Sequence, residues 1–119
     1  MAMSEIKNTE LVRNEAKEIV SAVAVDSNAG ASVDYSNKSD GRILLMITNA
    51  NTNASKKATI LKGNALQGTE DLIVTIPAGK TFGIVIETGK FGNIYGNNKG
   101  KVIIKGESTD IKVQAVELP

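Results

Sequence analysis

The chain has no cysteine, no histidine and no tryptophan. Without cysteine there are no disulfides, no thiolate zinc sites and no cysteine nucleophile. Without histidine the commonest metal ligand and the usual general base near neutral pH are missing, and so is an ordinary charge switch between pH 5 and 8. Aromatic side chains are confined to Tyr35, Phe82, Phe91 and Tyr95. No apolar run approaches the roughly 18 residues of a membrane span. The polar opening, Met1-Ala-Met-Ser-Glu-Ile-Lys-Asn8, has no apolar stretch of signal-peptide length, so synthesis in the cytoplasm and no membrane partner are expected. An excess of one charge is lacking too: 14 Lys and Arg stand against 13 Asp and Glu, for a formal charge of +1. Nucleic-acid proteins normally carry a basic face that displaces counterions from phosphates, so no nucleic-acid partner is expected.

What the chain does have is β-branched sequence in short runs. At 119 residues and 12.5 kDa it should expose about 6,000 Å² when folded against about 18,000 Å² when open, enough burial for one core. Ile43–Thr48, Lys57–Lys62, Asp71–Ile76, Thr81–Glu87, Lys101–Lys105 and Ile111–Val116 are apolar or alternating runs separated by Gly, Asn, Asp and Ser. The first is nearly continuous, as in a central strand covered on both faces. Asn37–Gly41 reads as a turn with Gly41 free for positive φ, and Pro77–Lys80 as a turn with Gly79 left-handed. Asn49–Ser55 is a polar surface loop. Strands at this spacing with few aromatics predict an all-β fold, an antiparallel two-sheet sandwich of the Ig-like or a related type, in one domain over 1–119.

The first third is ambiguous. Val12, Ala16, Ile19, Val20 and Val23 share one helical face, whereas Glu18–Val25 reads as a β-branched strand. The strand is favoured, turning through Asp26–Gly30 into a hairpin with Ser32–Tyr35. Residues 1–15 then form an extended N-terminal arm ahead of a sandwich over 16–119. Its apolar residues Ile6, Leu11 and Val12 need a cover, either their own sandwich or a neighbour. Four glutamates, Glu5, Glu10, Glu15 and Glu18, lie near the start, while lysines gather at Lys56, Lys57 and Lys62 and at Lys99, Lys101 and Lys105. These are solvated faces of opposite sign or a self-complementary surface for assembly.

Chemical motifs fail on spacing. Gly96-Asn-Asn-Lys-Gly-Lys101 has three residues between its glycines where a phosphate loop needs four, and Val102 where it needs Ser or Thr. Asp26, Asn28 and Asp34 lack the spacing and closing glutamate of a calcium loop, and turn-forming side chains explain them without a metal. Asp71, Glu87 and Glu117 are strand-end carboxylates with nothing to tune them as an acid–base pair. Ser and Thr have no histidine base. No catalytic residue, metal or cofactor is expected, and the protein is read as not an enzyme. The glycine-rich Gly89–Gly100 connection holds Phe91, Ile94 and Tyr95. These aromatic and aliphatic groups either plug the end of the sandwich or anchor another chain, since buried aromatics dominate interface energetics.

Four stretches, DGRILLMITNANT (Asp40–Thr52), ATILKGN (Ala58–Asn64), DLIVTIPAGKT with GIVIETGKF (Asp71–Phe91) and DIKVQAVELP (Asp110–Pro119), together resemble the capsid decoration, or head-stabilising, proteins of tailed bacteriophages and prophages. The resemblance covers residues 40–119 better than the first 40. It implies a β-sandwich on the outer capsid surface of a virion, bound to the major capsid protein and to neighbouring copies of itself, with a trimer as the arrangement that three-fold positions select. Ile6, Leu11, Val12, Phe91, Ile94 and Tyr95 are the expected contact residues. A tail, neck or baseplate component with the same fold, and a module for host-surface carbohydrate, are the alternative readings.

Overall fold

In the computed structural model, which describes residues 3–36 and 38–119, every β-branched run from residue 43 onward forms a strand. These are β5 (Ile43–Asn49), β6 (Lys56–Ile60), β7 (Leu72–Ile76), β8 (Thr81–Ile84), β9 (Lys101–Gly106) and β10 (Ile111–Glu117). Before them come β1 (Ser4–Ile6), β2 (Asn8–Glu10), β3 (Val23–Ala24) and β4 (Ala31–Asp34). A 3-10 turn at Asp40–Arg42 leads into β5, and one helical turn, α1 (Thr88–Phe91), follows β8. One sheet runs β1-β4-β9-β6-β7 and the other β2-β10-β5-β8, with β3 also paired to β10. The molecule is an all-β sandwich.

The core is aliphatic. Ile43, Leu45, Ile47, Ile60, Ile76, Ile104, Ile111, Val33, Val102 and Val113 are fully buried. Their spacing of two along each strand puts them on the inner faces, where each contributes about 1.5–3 kcal/mol of burial. The β5 run, expected to be covered on both faces, alternates instead: Ile43, Leu45, Ile47 and Asn49 are buried, and Leu44, Met46 and Thr48 half-buried. Buried Asn49 is fully employed. Its Nδ2 donates to the carbonyls of Ala54 (2.9 Å) and Ile76 (3.0 Å), and its Oδ1 accepts the Asn51 N–H (3.0 Å). The polar 50–55 loop is thereby clamped to the end of β7.

Gly79 takes φ +70° in the Pro77–Lys80 turn, as that turn requires. Gly41 does not take positive φ, because the chain tightens there into the 3-10 turn. Of the Asn37–Gly41 segment, Asn37 lies outside the described residues, as do Met1 and Ala2.

The N-terminal third differs most from expectation. Residues 4–10 are not an arm beside the sandwich but part of both sheets: β1 pairs parallel with β4, and β2 pairs parallel with β10 after crossing over at Lys7. Every other strand pair is antiparallel. The strand expected over 18–25 shrinks to Val23–Ala24, and it forms no hairpin with β4, since β3 and β4 belong to opposite sheets. The helical alternative is not realised either, and Val12, Ile19 and Val20 stay 46%, 39% and 42% exposed.

Candidate functional site

Several residues that raised chemical possibilities are held by the fold's own hydrogen bonds and ion pairs. Asp26 Oδ1 accepts the N–H groups of Asn28, Ala29 and Gly30 at 2.8–3.0 Å, and these bonds, that from Gly30 foremost, hold its carboxyl below the usual range. Asp34 accepts the Ser36 N–H (2.8 Å), which lowers it likewise. Asp71 accepts the Lys62 N–H (2.8 Å), and Glu117 pairs with Lys38 (3.0 Å). The Gly96–Lys101 segment is a hairpin turn with Gly96 at φ +87° and Gly100 at φ +80°, closed by Lys99 N–H to the Gly96 carbonyl. Lys57 and Lys105, from the two basic clusters, line one cleft of about 380 Å³ on an outer sheet face together with Thr59 and Glu107.

The expected contact residues separate into two groups. In the N-terminal group Ile6 is 3% exposed and part of the hydrophobic core, because β1 places it between the sheets. Leu11 is half-buried and its N–H donates to the Glu117 carbonyl, which leaves Val12 as the exposed apolar residue of the three. Beyond it the chain returns along β10. The Val20 N–H donates to Thr9 Oγ1 (2.8 Å), and Gln114 Nε2 donates to the Val20 carbonyl (3.1 Å).

The second group lies at the end of the sandwich where β8 leads through α1 into β9. Asp40 fixes this end by accepting both the N–H and the hydroxyl of Thr88 at 2.9 Å. Phe91 folds back, half-buried against the core, whereas Ile94 and Tyr95 are 58% and 62% exposed. The plug and the anchor are therefore different residues of one loop. Ile94 is shared by the walls of two hollows, one of about 250 Å³ that also includes Tyr35, Thr88 and Gly92, and one of about 410 Å³ that includes Ser36 and Lys99. Tyr35 is buried and its hydroxyl has no hydrogen-bond partner among the described residues. Burial, with the Asp40 charge second, pushes its ionisation upward.

Two residues that the sequence did not single out complete this tip. Asn64, after β6, forks across to the facing loop: the Ile94 N–H donates to its Oδ1 (2.7 Å), and its Nδ2 donates to the Tyr95 carbonyl (3.0 Å). Leu66, in the same 63–70 loop, is 98% exposed. Beneath them the backbones meet. The Gly63 N–H donates to the Lys90 carbonyl (2.9 Å), and a methyl group on Gly63 would overlap the Gly92 carbonyl. A methyl group on Gly68 would overlap the Gly63 carbonyl in the same way. Leu66, Ile94 and Tyr95 are thus carried on two loops tied together by a side-chain amide and by glycine contacts. With the loops already tied to each other, contact costs side-chain but little backbone entropy, which makes this tip the best-prepared contact surface of those expected. Ile94 and Tyr95 could be found as apolar residues inside a polar, glycine-rich loop. Leu66 and Asn64 gave no such signal, because what qualifies them is the approach of two loops distant in sequence.

No protein-family model matches the chain, and neither a curated protein nor a solved structure matches it.

Proposed function

We propose that the protein is a non-enzymatic capsid decoration protein, which binds the outer surface of a tailed-phage head and stabilises it. The observation that carries this reading is the tip: Leu66, Ile94 and Tyr95, all exposed, on two loops locked by Asn64. It joins the resemblance of residues 40–119 to such proteins. A protein of this kind works by opposing the separation of capsomers, so its binding energy, multiplied over many copies, adds to the stability of the shell. One copy needs only a standard-size or smaller interface, with a few apolar anchors at its centre and near-neutral contacts around them. In this reading the tip faces the major capsid protein, and the exposed Val12 is open to a neighbouring copy.

The test is co-sedimentation of the purified chain with expanded heads of its own phage lacking it. Saturable binding is expected, together with a higher temperature of head disruption. Ile94→Asp with Tyr95→Asp is expected to weaken binding at least about tenfold while leaving the melting temperature of the free protein unchanged, since both side chains are exposed. Absence of binding overturns the reading. Label found at one vertex or along the tail in electron micrographs replaces it with a neck, tail or baseplate role.

A further inference from the structure

The two flanks of the sandwich are finished differently. On one, the N-terminal segment pairs along β4 and β10 and buries Ile6 between the sheets. On the other, β7 ends one sheet and β8 ends the other, side by side because only residues 77–80 connect them. Among the described residues no strand pairs with the outer edge of either.

Solvent-facing strand edges are normally guarded by lysines, prolines, bulges or inward-pointing charges. Residues 72–86, LIVTIPAGKTFGIVI, contain one charge, Lys80, and one proline, Pro77, and both sit in the turn rather than on an edge. Ile73, Phe82 and Val85 are 60%, 40% and 53% exposed. Phe82 lies opposite Ile47 in the sheet register, so it belongs to the core layer and yet opens to solvent at the rim. The accessible surface of the chain, 6,897 Å², is about a tenth above that of a typical monomer of its mass.

These features fit one occupant, a second copy of this chain. A two-fold axis perpendicular to an edge strand sets it antiparallel to its own counterpart, and residues near the axis then meet their own kind. A charge there would face the same charge, which is destabilising, whereas an uncharged apolar edge is compatible with itself. The net charge of +1 adds no appreciable repulsion between copies. We propose that the β7/β8 flank is a two-fold self-association surface on which the edges of the sandwich pair antiparallel with those of a second copy, burying Ile73, Phe82 and Val85. This is independent of the capsid reading and differs from a three-fold contact.

Sedimentation equilibrium of the full chain over a concentration series tests it. A species of about 25 kDa, twice the 12.5 kDa chain, is expected. Ile73→Lys with Val85→Lys is expected to weaken association at least about a hundredfold, with the circular dichroism spectrum and a cooperative thermal transition retained and the melting temperature no longer rising with protein concentration. In hydrogen exchange, the amides of β7 and β8 that point to the open edge should be protected in the parent and lose that protection in the variant, while those bonded to β6 and β5, and the β10 amides, stay protected. Should β10 protection fall as well, Thr75→Lys, exposed on β7, takes the place of the double variant. A parent that is monomeric at several hundred micromolar, a trimeric mass, or a dimer that survives the lysines each overturns the proposal.

Discussion

At the scale of single residues, three polar groups decide more than their number suggests. Asn49 is wholly buried and satisfies two carbonyls and one N–H. Asn49→Ala leaves the carbonyls of Ala54 and Ile76 without that donor, and a loss of about 2–4 kcal/mol in urea-determined stability is expected. Tyr35 is the opposite case, a buried hydroxyl without a partner. Tyr35→Phe removes a group already desolvated and unpaired, so calorimetry is expected to show an unchanged or slightly raised melting temperature. Asp26 titrates below its ordinary 3.8 because three N–H groups favour its charged form. A depressed folded pKa gives stability that is present above the unfolded value and is lost as the pH falls through the folded one. Asp26→Asn is therefore expected to flatten the decline in melting temperature below about pH 4 relative to the parent, and pH-dependent thermal melts check it.

Among the elements, the N-terminal segment and the tip carry opposite kinds of expectation. Ile6 is a core residue contributed by a three-residue edge strand. Ile6→Ala is expected to cost about 2–4 kcal/mol in denaturant titrations. Asn64, by contrast, is half-buried at a surface tip and ties two loops. Asn64→Ala should leave global stability within about 1 kcal/mol but speed hydrogen exchange at Ile94, because that amide loses its acceptor. Legibility in the sequence follows the same division. Strands β5 to β10 are readable because five or so alternating β-branched residues bounded by turn formers leave a signal in any window that contains them. β1, β2 and β3 are two or three residues long and owe their existence to the edges of β4 and β10, so no local window holds the information. For that reason the reach of Ile6 into the core, and the assignment of β3 and β4 to different sheets, were not readable. At the tip, Ile94 and Tyr95 stand out against their polar neighbours, whereas the roles of Leu66 and Asn64 exist only once the loops cross. The open edges of β7 and β8 are invisible for a related reason, since a strand becomes an edge only through the strand order.

At the scale of the whole molecule, the sandwich measures 39 × 39 × 24 Å, a slab with broad faces and a narrow rim. The tip and the β7/β8 flank lie on that rim, where a slab can touch two neighbours at once. With a net charge of +1, long-range attraction contributes little to any such contact. Under the proposed function, raising sodium chloride from about 50 to 500 mM is expected to change capsid affinity less than about threefold, and binding isotherms across that range check it. The glycine crossing beneath the tip has a further consequence. Gly63, Gly68 and Gly92 admit no side chain without moving a carbonyl or a neighbouring turn, while Leu66, Ile94 and Tyr95 are exposed beyond the strands. The scaffold and its fingertips can accordingly diverge at different speeds, and a combinatorial library randomised at those three tips could give the protein new binding partners without asking the rest of the chain to adapt.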